Sequence, residues 1–385
     1  MRNRLLESWT STECPPLSPP ARRALELATT FYLQGLARDQ KRARWRARSL
    51  PAFVISIGNL VVGGTGKTPF TLWLADHLAH QGFRVAVLSR GYGGSADKVA
   101  QVPQTGETSA LVRDYGDEPV LLARKLSPVP VWVGRERYEA GLAAIHTSRA
   151  EVLILDDGFQ HLALHRDLDL VLLDSRDPFG NGELLPLGPL REPVSHLQRA
   201  SAFVLTRADE PERSAATRRI IEELFPGKPV FTCTHQITKP APGMGSPPIA
   251  FQKLAHHPVG AFAGIAHPQS FFDALARKGV LLGRRWAFPD HHVYKRRDLR
   301  TILEGVRQDG LQWLVTTEKD YVRLPSWFQS MTLAAGIELD FGSDLTSLRE
   351  SIGSALESVA HRRDAECLSR TPREDRHRVL PAEPE

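Results

Sequence analysis

The chain has 385 residues, a mass of 42.8 kDa and a formal net charge of +5. This length excludes a disulfide-stabilised miniprotein and suggests two or three domains. Apolar residues make up 42% and charged residues 24%, as is typical of a soluble protein with a buried core. The positive charge is local: residues 22–48 hold eight Lys/Arg against two Asp/Glu, a net +6, so the remainder sums to about −1. A pI of about 9.2 suggests a nucleic-acid partner. Because the positive charge is confined to residues 22–48, any anionic partner must bind this one segment.

Cysteine content and hydropathy indicate where the protein acts. Cys14, Cys233 and Cys367 are far apart and show neither metal-ligand spacing nor a disulfide framework, which fits a reducing cytoplasm. We find no run of the roughly 18–20 apolar residues that a membrane span needs, and no secretion signal at the start. We therefore expect a protein that is neither secreted nor integral to a membrane.

The N-terminal 50 residues predict a membrane-associating segment. Residues 1–20 are polar and proline-rich, residues 21–37 repeat apolar side chains at helical spacing, and a basic run with Trp45 at its centre fills residues 41–48. An amphipathic helix followed by basic residues can lie on an anionic bilayer. A surface helix packed on its own domain, with a solvated charge run, explains the pattern equally well.

Residues 51–238 alternate strand and helix patterns. The short apolar runs are AFVISI (52–57), VAVLS (85–89), VPVWV (129–133), VLILDD (152–157), DLVLLD (169–174) and AFVLT (202–206). This rhythm predicts an α/β fold with a parallel sheet covered by helices on both faces. A turn-rich linker is expected over 239–258, a smaller α/β unit over 259–360, and a disordered tail over 361–385.

A glycine-rich turn between the first strand and an amphipathic helix predicts a P-loop. Its glycine N–H groups would surround phosphate oxygens, Lys67 would reach the β/γ-phosphates, and the Thr68 hydroxyl would ligate Mg²⁺. Val61 stands where the usual spacing places a glycine. The nucleotide-binding candidates are Val61, Val62, Gly63, Gly64, Thr65, Gly66, Lys67 and Thr68.

A P-loop needs an acidic partner at the end of a neighbouring strand to hold the hydrated metal. Asp156 and Asp157 end the strand VLILDD, and we interpret them as metal ligands without choosing which is the main one. Asp174, at the end of DLVLLD, is a weaker candidate. Carboxylates at a strand end can also merely cap the following turn.

Seven motifs together resemble the tetraacyldisaccharide 4′-kinase (lipid A 4′-kinase) family. In chain order over about residues 58–320 they are GNLVVGGTGKTP, SRGYGG, GDEP, DDGFQH, GNGELLPLGPLREP, FPDHH and TTEKD. The resemblance implies a P-loop NTPase-like domain and a smaller α/β/α domain across a hinge. It implies transfer of the γ-phosphate of ATP, with Mg²⁺, to the 4′-hydroxyl of a tetraacyldisaccharide 1-phosphate in lipid A biosynthesis.

The resemblance also implies where the protein acts. The family's N-terminal helix contacts the cytoplasmic face of the bacterial inner membrane, so we expect a peripheral protein on an anionic surface. We expect neither nucleic acid nor an obligate protein as partner.

The same resemblance assigns roles to individual residues. Asp117 matches the catalytic base and His291 its partner from the second domain, although His292 is an alternative; Lys67 completes the catalytic set. Glu192 matches a position near the metal, and Arg191 one near the substrate. Further substrate candidates are Tyr92, Arg137 and His161. The TTEKD stretch at 316–320 is similar to a base-reading motif of GTP-binding proteins but starts with Thr rather than Asn.

Two rival classes share the P-loop. One is a switch or assembly ATPase that acts on a protein partner, and the other is a soluble ligase of the biotin-pathway type. The ligase has no use for Trp45 within a basic run.

Overall fold

The computed structural model describes residues 18–95, 98–244 and 246–369, with side chains described as far as 358. The lead-in predicted for residues 1–17 and the tail predicted for residues 370–385 lie outside the described residues. The described residues up to Asp344 cluster as one compact unit, and those from Leu345 form another. The domain boundaries expected at 238 and 258 therefore stay predictions.

An eight-stranded sheet forms the larger layer of the first unit. Its strands lie in the order β3-β4-β2-β5-β1-β6-β7-β8, all parallel to their neighbours except β3, which runs antiparallel to β4. Their bounds are Phe53–Gly58 (β1), Val85–Ser89 (β2), Ala100–Gln101 (β3), Val131–Val133 (β4), Val152–Asp156 (β5), Leu168–Asp174 (β6), Ala202–Thr206 (β7) and Val230–Thr232 (β8).

Helices cover both faces of this sheet, as the apolar runs predicted. Strands β1, β2, β5 and β7 are buried along their whole length, because each has helices or loops on both sides. The helices and helical turns of this part of the chain are α1 (Pro19–Trp45), α2 (Lys67–His80), α3 (Thr108–Tyr115), α4 (Asp117–Lys125), α5 (Arg137–Ser148), α6 (Pro211–Leu224) and a 3₁₀ helix at Val194–Arg199. The predicted fold class is confirmed.

A four-stranded parallel sheet, in the order β11-β10-β12-β13, forms the smaller layer. Its strands are Val259–Ala263 (β10), Leu282–Ala287 (β11), Trp313–Thr317 (β12) and Leu333–Ala335 (β13). The accompanying helices are α7 (Phe251–Ala255), α8 (Pro268–Arg277), α9 (Arg296–Gln308), α10 (Glu318–Tyr321) and α11 (Ser326–Gln329). Apolar clusters on its two sides pack around Val315 and Phe262.

A two-stranded antiparallel ribbon connects the two layers. It pairs β9 (Thr234–Ile237), directly after β8, with β14 (Ile337–Asp340), directly after β13. Cys233 lies at the crossing from β8 to β9, is buried, and donates its backbone N–H to the carbonyl of Leu205 at 2.8 Å. Burial raises the pKa of its thiol to about 12.

Two helices differ from their predicted extents. Helix α1 continues through the basic run to Trp45, because Arg, Lys and Ala are strong helix formers. Helix α12 (Asp344–Ser369) passes His361, where the sequence predicts the tail to begin. None of the helices in the described part of the chain has the length and apolar character that a bilayer crossing requires.

Candidate active site

The loop between β1 and α2 lies at the carboxyl edge of the large sheet. Gly66, directly before α2, has φ of +85°, and a Cβ there would come within 2.7 Å of the His235 imidazole. Only glycine fits this position without strain. The Thr206 hydroxyl donates to the Thr65 carbonyl at 3.0 Å, and Arg207 donates to the Gly64 carbonyl at 2.7 Å. The end of β7 therefore holds the loop in place.

Lys67, the first residue of α2, points back toward the loop. Its Nζ donates to Asn59 Oδ1 at 3.0 Å and lies 3.5 Å from Asp157 Oδ1. The lysine side chain is 14% exposed, so its charge is directed inward at the loop. This position suits a cation that must meet nucleotide phosphates.

Asp156 and Asp157 stand beside the loop because β5 pairs directly with β1, with Ile57 opposite Asp156. Asp156 is buried and accepts a hydrogen bond from the Thr71 hydroxyl at 3.0 Å. Burial, with the charges of Glu118 and Asp157, raises the pKa of Asp156 to about 7. A nearby cation would therefore stabilise the ionised form of the Asp156 carboxyl group.

Asp157 is instead already neutralised. Arg191 Nη1 donates to both of its oxygens at 3.1 and 3.0 Å, and Lys67 lies on its other side. Burial alone would raise the pKa of Asp157, but these two cations outweigh it and lower the pKa to about 2. The two adjacent carboxyl groups therefore have opposite electrostatic environments, and Arg191 belongs to the same cluster.

The donor set around the loop suits a hard divalent cation. The carboxylate of Asp156 and the hydroxyl of Thr68 are oxygen donors of the kind that Mg²⁺ prefers, and Mg²⁺ usually completes its shell with water and substrate phosphates. Within the described residues, no group of three or more His, Cys, Asp or Glu side chains is placed to hold a metal ion alone.

Two predicted metal candidates have other partners. The buried Glu192 carboxylate accepts hydrogen bonds from Arg199 at 2.7 Å and Gln40 at 2.6 Å, and lies 2.9 Å from His196 Nδ1. These bonds tie the PLREP loop to α1 and to the 3₁₀ helix, and the place of Glu192 near the metal stays a prediction. Asp174 accepts from Arg176 at 3.0 Å and from Arg207 at 2.5 Å.

Three predicted substrate residues lie near the carboxylates or beside His291. Arg137 is 3% exposed, donates to the Gly134 carbonyl at 3.0 Å, and lies close enough to Asp156 and Asp157 for their charges to oppose the effect of burial on its pKa. Burial, with neighbouring arginines, lowers the pKa of His161 to about 4, so its imidazole is neutral at pH 7. The Tyr92 side chain is 75% exposed, and its ring centroid lies 6.4 Å from that of His291.

The structure brings Asp117 and His291 together across the two layers. Asp117 is the first residue of α4 and is buried, and His291 follows β11 in a loop at φ of +55°. His291 Nδ1 lies 3.1 Å from Asp117 Oδ2, although 174 positions separate the residues. Glu118 is close enough to Asp156 to raise the pKa of that carboxyl, so the pair adjoins the metal-side carboxylates.

His292 faces the other way. Its Nε2 lies 3.0 Å from Asp298 Oδ2, and its ring stacks on Phe288 with centroids 4.7 Å apart. Between the two candidates of the FPDHH motif, His291 is therefore the one that contacts Asp117.

Comparisons with known proteins match this geometry to one family. The family model for tetraacyldisaccharide-1-P 4′-kinase matches residues 21–357. The tetraacyldisaccharide 4′-kinase of Syntrophobacter fumaroxidans is 49% identical over 90% of this chain and 91% of its own length. That of Anaeromyxobacter dehalogenans strain 2CP-C is 42% identical over 83% of this chain and 82% of its own. The crystal structure of LpxK from Aquifex aeolicus in complex with ATP has a TM-score of 0.69 at 31% identity and covers 87% of this chain and 99% of that one.

The chain belongs to the tetraacyldisaccharide 4′-kinase family. It is an ATP-dependent kinase of lipid A biosynthesis. The rival interpretations, a switch ATPase and a soluble ligase, are not favoured.

Two cations that sequence reasoning missed contact the Asp117–His291 pair. Arg323, two residues beyond α10, donates from Nε to Asp117 Oδ2 at 2.7 Å, and its Nη2 contacts the same oxygen. Lys319 Nζ donates to Glu118 at 2.9 Å and lies 3.1 Å from His291 Nε2. A usable signal was the spacing of Asp320 and Arg323, since residues three apart on a helical turn can pair. Nothing in the sequence linked that turn to Asp117.

Proposed function

We propose that this kinase phosphorylates the 4′-hydroxyl of a tetraacyldisaccharide 1-phosphate at the cytoplasmic face of the bacterial inner membrane, with Asp117 and His291 receiving the hydroxyl proton. The observation that carries the assignment of the pair is the Asp117–His291 contact beside the P-loop carboxylates. A carboxylate paired with an imidazole is a common proton acceptor for hydroxyl groups.

The transfer divides the work between two groups of residues. The 4′-oxygen forms the new bond to the γ-phosphorus while the bond from that phosphorus to the β,γ-bridging oxygen breaks, leaving ADP. Lys67 and the loop N–H groups neutralise the charge on the transferred phosphoryl group. The hydroxyl proton passes to the Asp117–His291 pair, and Arg137, Arg191, Tyr92 and His161 contact the disaccharide or its phosphate.

Magnesium is the proposed cofactor beside ATP. When bound, it would supply positive charge that neutralises the phosphate groups of ATP. Asp156 and Thr68 would hold it, because the Asp156 carboxylate is buried and beside the loop while Asp157 is committed to Arg191 and Lys67. Glu192 is the least supported of the predicted ligands, since Arg199, Gln40 and His196 contact its carboxylate.

Helix α1 supports the proposed membrane contact. Leu27 is 65%, Phe31 72% and Trp45 84% exposed on a helix whose last turns carry basic residues. The same helix is fixed to the site, because Tyr32 donates to the Arg191 carbonyl at 2.6 Å. A membrane that binds α1 would therefore present its lipids beside the loop that carries Arg191.

The activity is tested with purified protein, γ-labelled ATP, Mg²⁺ and tetraacyldisaccharide 1-phosphate in mixed micelles. We expect label in the lipid product, and none with an acceptor whose 4′-hydroxyl is replaced by hydrogen. The proposal would be wrong if the folded, ATP-binding protein labels neither lipid or labels both.

The membrane contact has a separate test, flotation with vesicles. The wild-type protein should float with anionic vesicles and not with zwitterionic ones, and the pair of changes Leu27→Ser and Phe31→Ser should reduce flotation. Ile220→Ser, at an exposed apolar position of α6, is the matched control. Equal flotation of all three proteins would contradict the contact.

A further inference from the structure

The Asp117–His291 pair is not isolated, because a third side chain contacts both members. Arg323 contacts Asp117 Oδ2 through two nitrogens, and its Nη2 lies 3.2 Å from His291 Nδ1. The guanidinium is 6% exposed and the Asp117 side chain 9%, so water screens this ion pair only weakly.

Arg323 is itself fixed from the small sheet. Its Nη1 donates to Asp320 Oδ1 and to the Gly264 carbonyl, both at 3.2 Å. The fully buried Asp320 also accepts from the Tyr294 hydroxyl at 3.0 Å, from the Gly264 N–H at 3.0 Å and from the Thr317 hydroxyl at 2.6 Å. Thr317 and Asp320 of the TTEKD motif thus form, with Gly264 and Tyr294, a hydrogen-bonded base for the arginine.

The same base supports the histidine. The His291 N–H donates to the Gly264 carbonyl at 3.2 Å, the oxygen that also accepts from Arg323. A Cβ at Gly264 would come within 2.9 Å of Asp320 Oδ1 and 3.1 Å of the Tyr294 hydroxyl, so no other residue fits without moving them. One backbone carbonyl therefore sets the spacing between Arg323 and His291.

We propose that Arg323 is a positioning residue of the phosphoryl-transfer reaction: its guanidinium pairs with the Asp117 carboxylate and orients it toward His291. This inference rests on the proposed function of the pair. Under this proposal the TTEKD motif has a structural role, because its Asp320 holds Arg323 in place.

Two groups that can only donate flank the imidazole. Lys319 Nζ lies 3.1 Å from His291 Nε2, and Arg323 Nη2 lies 3.2 Å from Nδ1, the nitrogen that also faces Asp117 Oδ2. Burial alone would raise the pKa of Asp117, but the His291 hydrogen bond and the Arg323 charge hold it far below its usual range. The charged or titratable groups facing the pair are Arg323, Lys319, Asp320, Glu118, Asp290 and Tyr92.

The test compares Arg323→Met and Arg323→Lys with wild type across pH. We expect Arg323→Met to lower kcat/KM about 10- to 100-fold, as for a misplaced reacting group, and to move the acid limb of its pH profile upward, because the carboxylate loses its cation. Arg323→Lys keeps the charge, so its acid limb should stay near that of wild type while kcat falls. The KM for ATP should not change in either variant.

Arg300→Met is the matched control, an exposed arginine on α9. It should leave rate and profile unchanged. An acid limb that stays in place in Arg323→Met, or a kcat/KM within twofold of wild type, would overturn the proposal. If Arg323→Met does not fold, the Arg323→Lys variant tests the proposal instead. If the arginine is purely structural, we expect the lysine variant to retain the full wild-type rate.

A readout without substrate separates this inference from the activity itself. The imidazole resonances of His291, assigned with a His291→Gln variant, should shift in Arg323→Met relative to wild type at one fixed pH, because the guanidinium beside Nδ1 is lost. If wild type transfers no phosphate but this shift is present, the proposed function fails and the positioning contact stands. If wild type is active and the shift is absent, only the positioning role fails.

Discussion

The phosphate-binding loop is assembled from adjacent strands of one sheet, whereas the Asp117–His291 pair joins two sheets and residues 174 positions apart. In the first region, Asp156 and Asp157 lie at the end of β5 and Lys67 at the start of α2, and the pairing of β5 with β1 brings them to one edge of the sheet. In the second region, no strand pairing connects the partners, and Arg323 and Gly264 supply the geometry. The nucleotide half of the site therefore depends on local structure, and the proton-transfer half depends on how the sheets meet.

Lys67→Ala should give the largest effect on the first region. We expect transfer to fall by about 10³-fold or more, because a cation that meets developing charge in a buried site is lost, and ATP binding should weaken with it. Rates and ATP affinity measured together check this, with Lys253→Ala on the exposed surface of α7 as control. A variant that keeps a tenth of the wild-type rate would mean that the loop works differently.

His291→Ala should break the second region alone. Loss of a proton-transfer partner is expected to lower kcat about 10²- to 10⁴-fold while ATP affinity, which depends on the other region, stays within twofold of wild type. His292→Ala is the matched neighbour: it removes the bond to Asp298 and the stack on Phe288, so it should lower thermal stability more than kcat. The contrast between the regions fails if His291→Ala weakens ATP binding as strongly as Lys67→Ala.

Asp174→Asn should give the smallest effect, on stability. Burial alone would raise the pKa of Asp174, but hydrogen bonds from Arg176 and the charge of Arg207 lower it to about 2. A carboxylate with a lowered pKa stabilises the fold above about pH 4 and loses this contribution as pH falls toward 2.

Chemical unfolding at several pH values checks that dependence. The variant should be less stable by about 2 kcal/mol at pH 7, and the difference should shrink between pH 4 and pH 2. Asp209→Asn, an exposed carboxylate three residues after the neighbouring strand β7, should change little at any pH. A difference that is constant with pH would show that the ion pair is not its source.

Sequence reasoning succeeded where a pattern is local. The strands of the large sheet with continuous apolar runs were located within about two residues, and the order of strand, Gly-rich loop and helix predicted the nucleotide site. The ribbon of β9 and β14 was missed, because THQI and IELD are short and mostly not buried. Nothing local distinguishes them from loops.

The site was predictable only in part for the same reason. Asp117 and His291 followed from the family resemblance, and their contact is a property of the folded chain. Arg323 has no sequence neighbour that indicates a role near Asp117. Its contact with Asp117 is seen only in the folded structure, where the two sheets pack together. Glu192 has two partners nearby in the sequence, Arg199 and His196. A carboxylate close to an arginine in the sequence can either form a structural ion pair or bind a metal ion, and the sequence does not distinguish these roles.

Cys233, at the crossing between the two layers, is buried and reacts poorly with thiol reagents. With a thiol pKa of about 12, on the order of 10⁻⁵ of the molecules carry a thiolate at neutral pH, and the thiolate is the reactive form. Alkylation there must therefore await a transient opening of the segment between β8 and β9. In a protein whose Cys14 and Cys367 are replaced by serine, the slow uptake of an alkylating label becomes a clock for that opening, read without substrate or turnover.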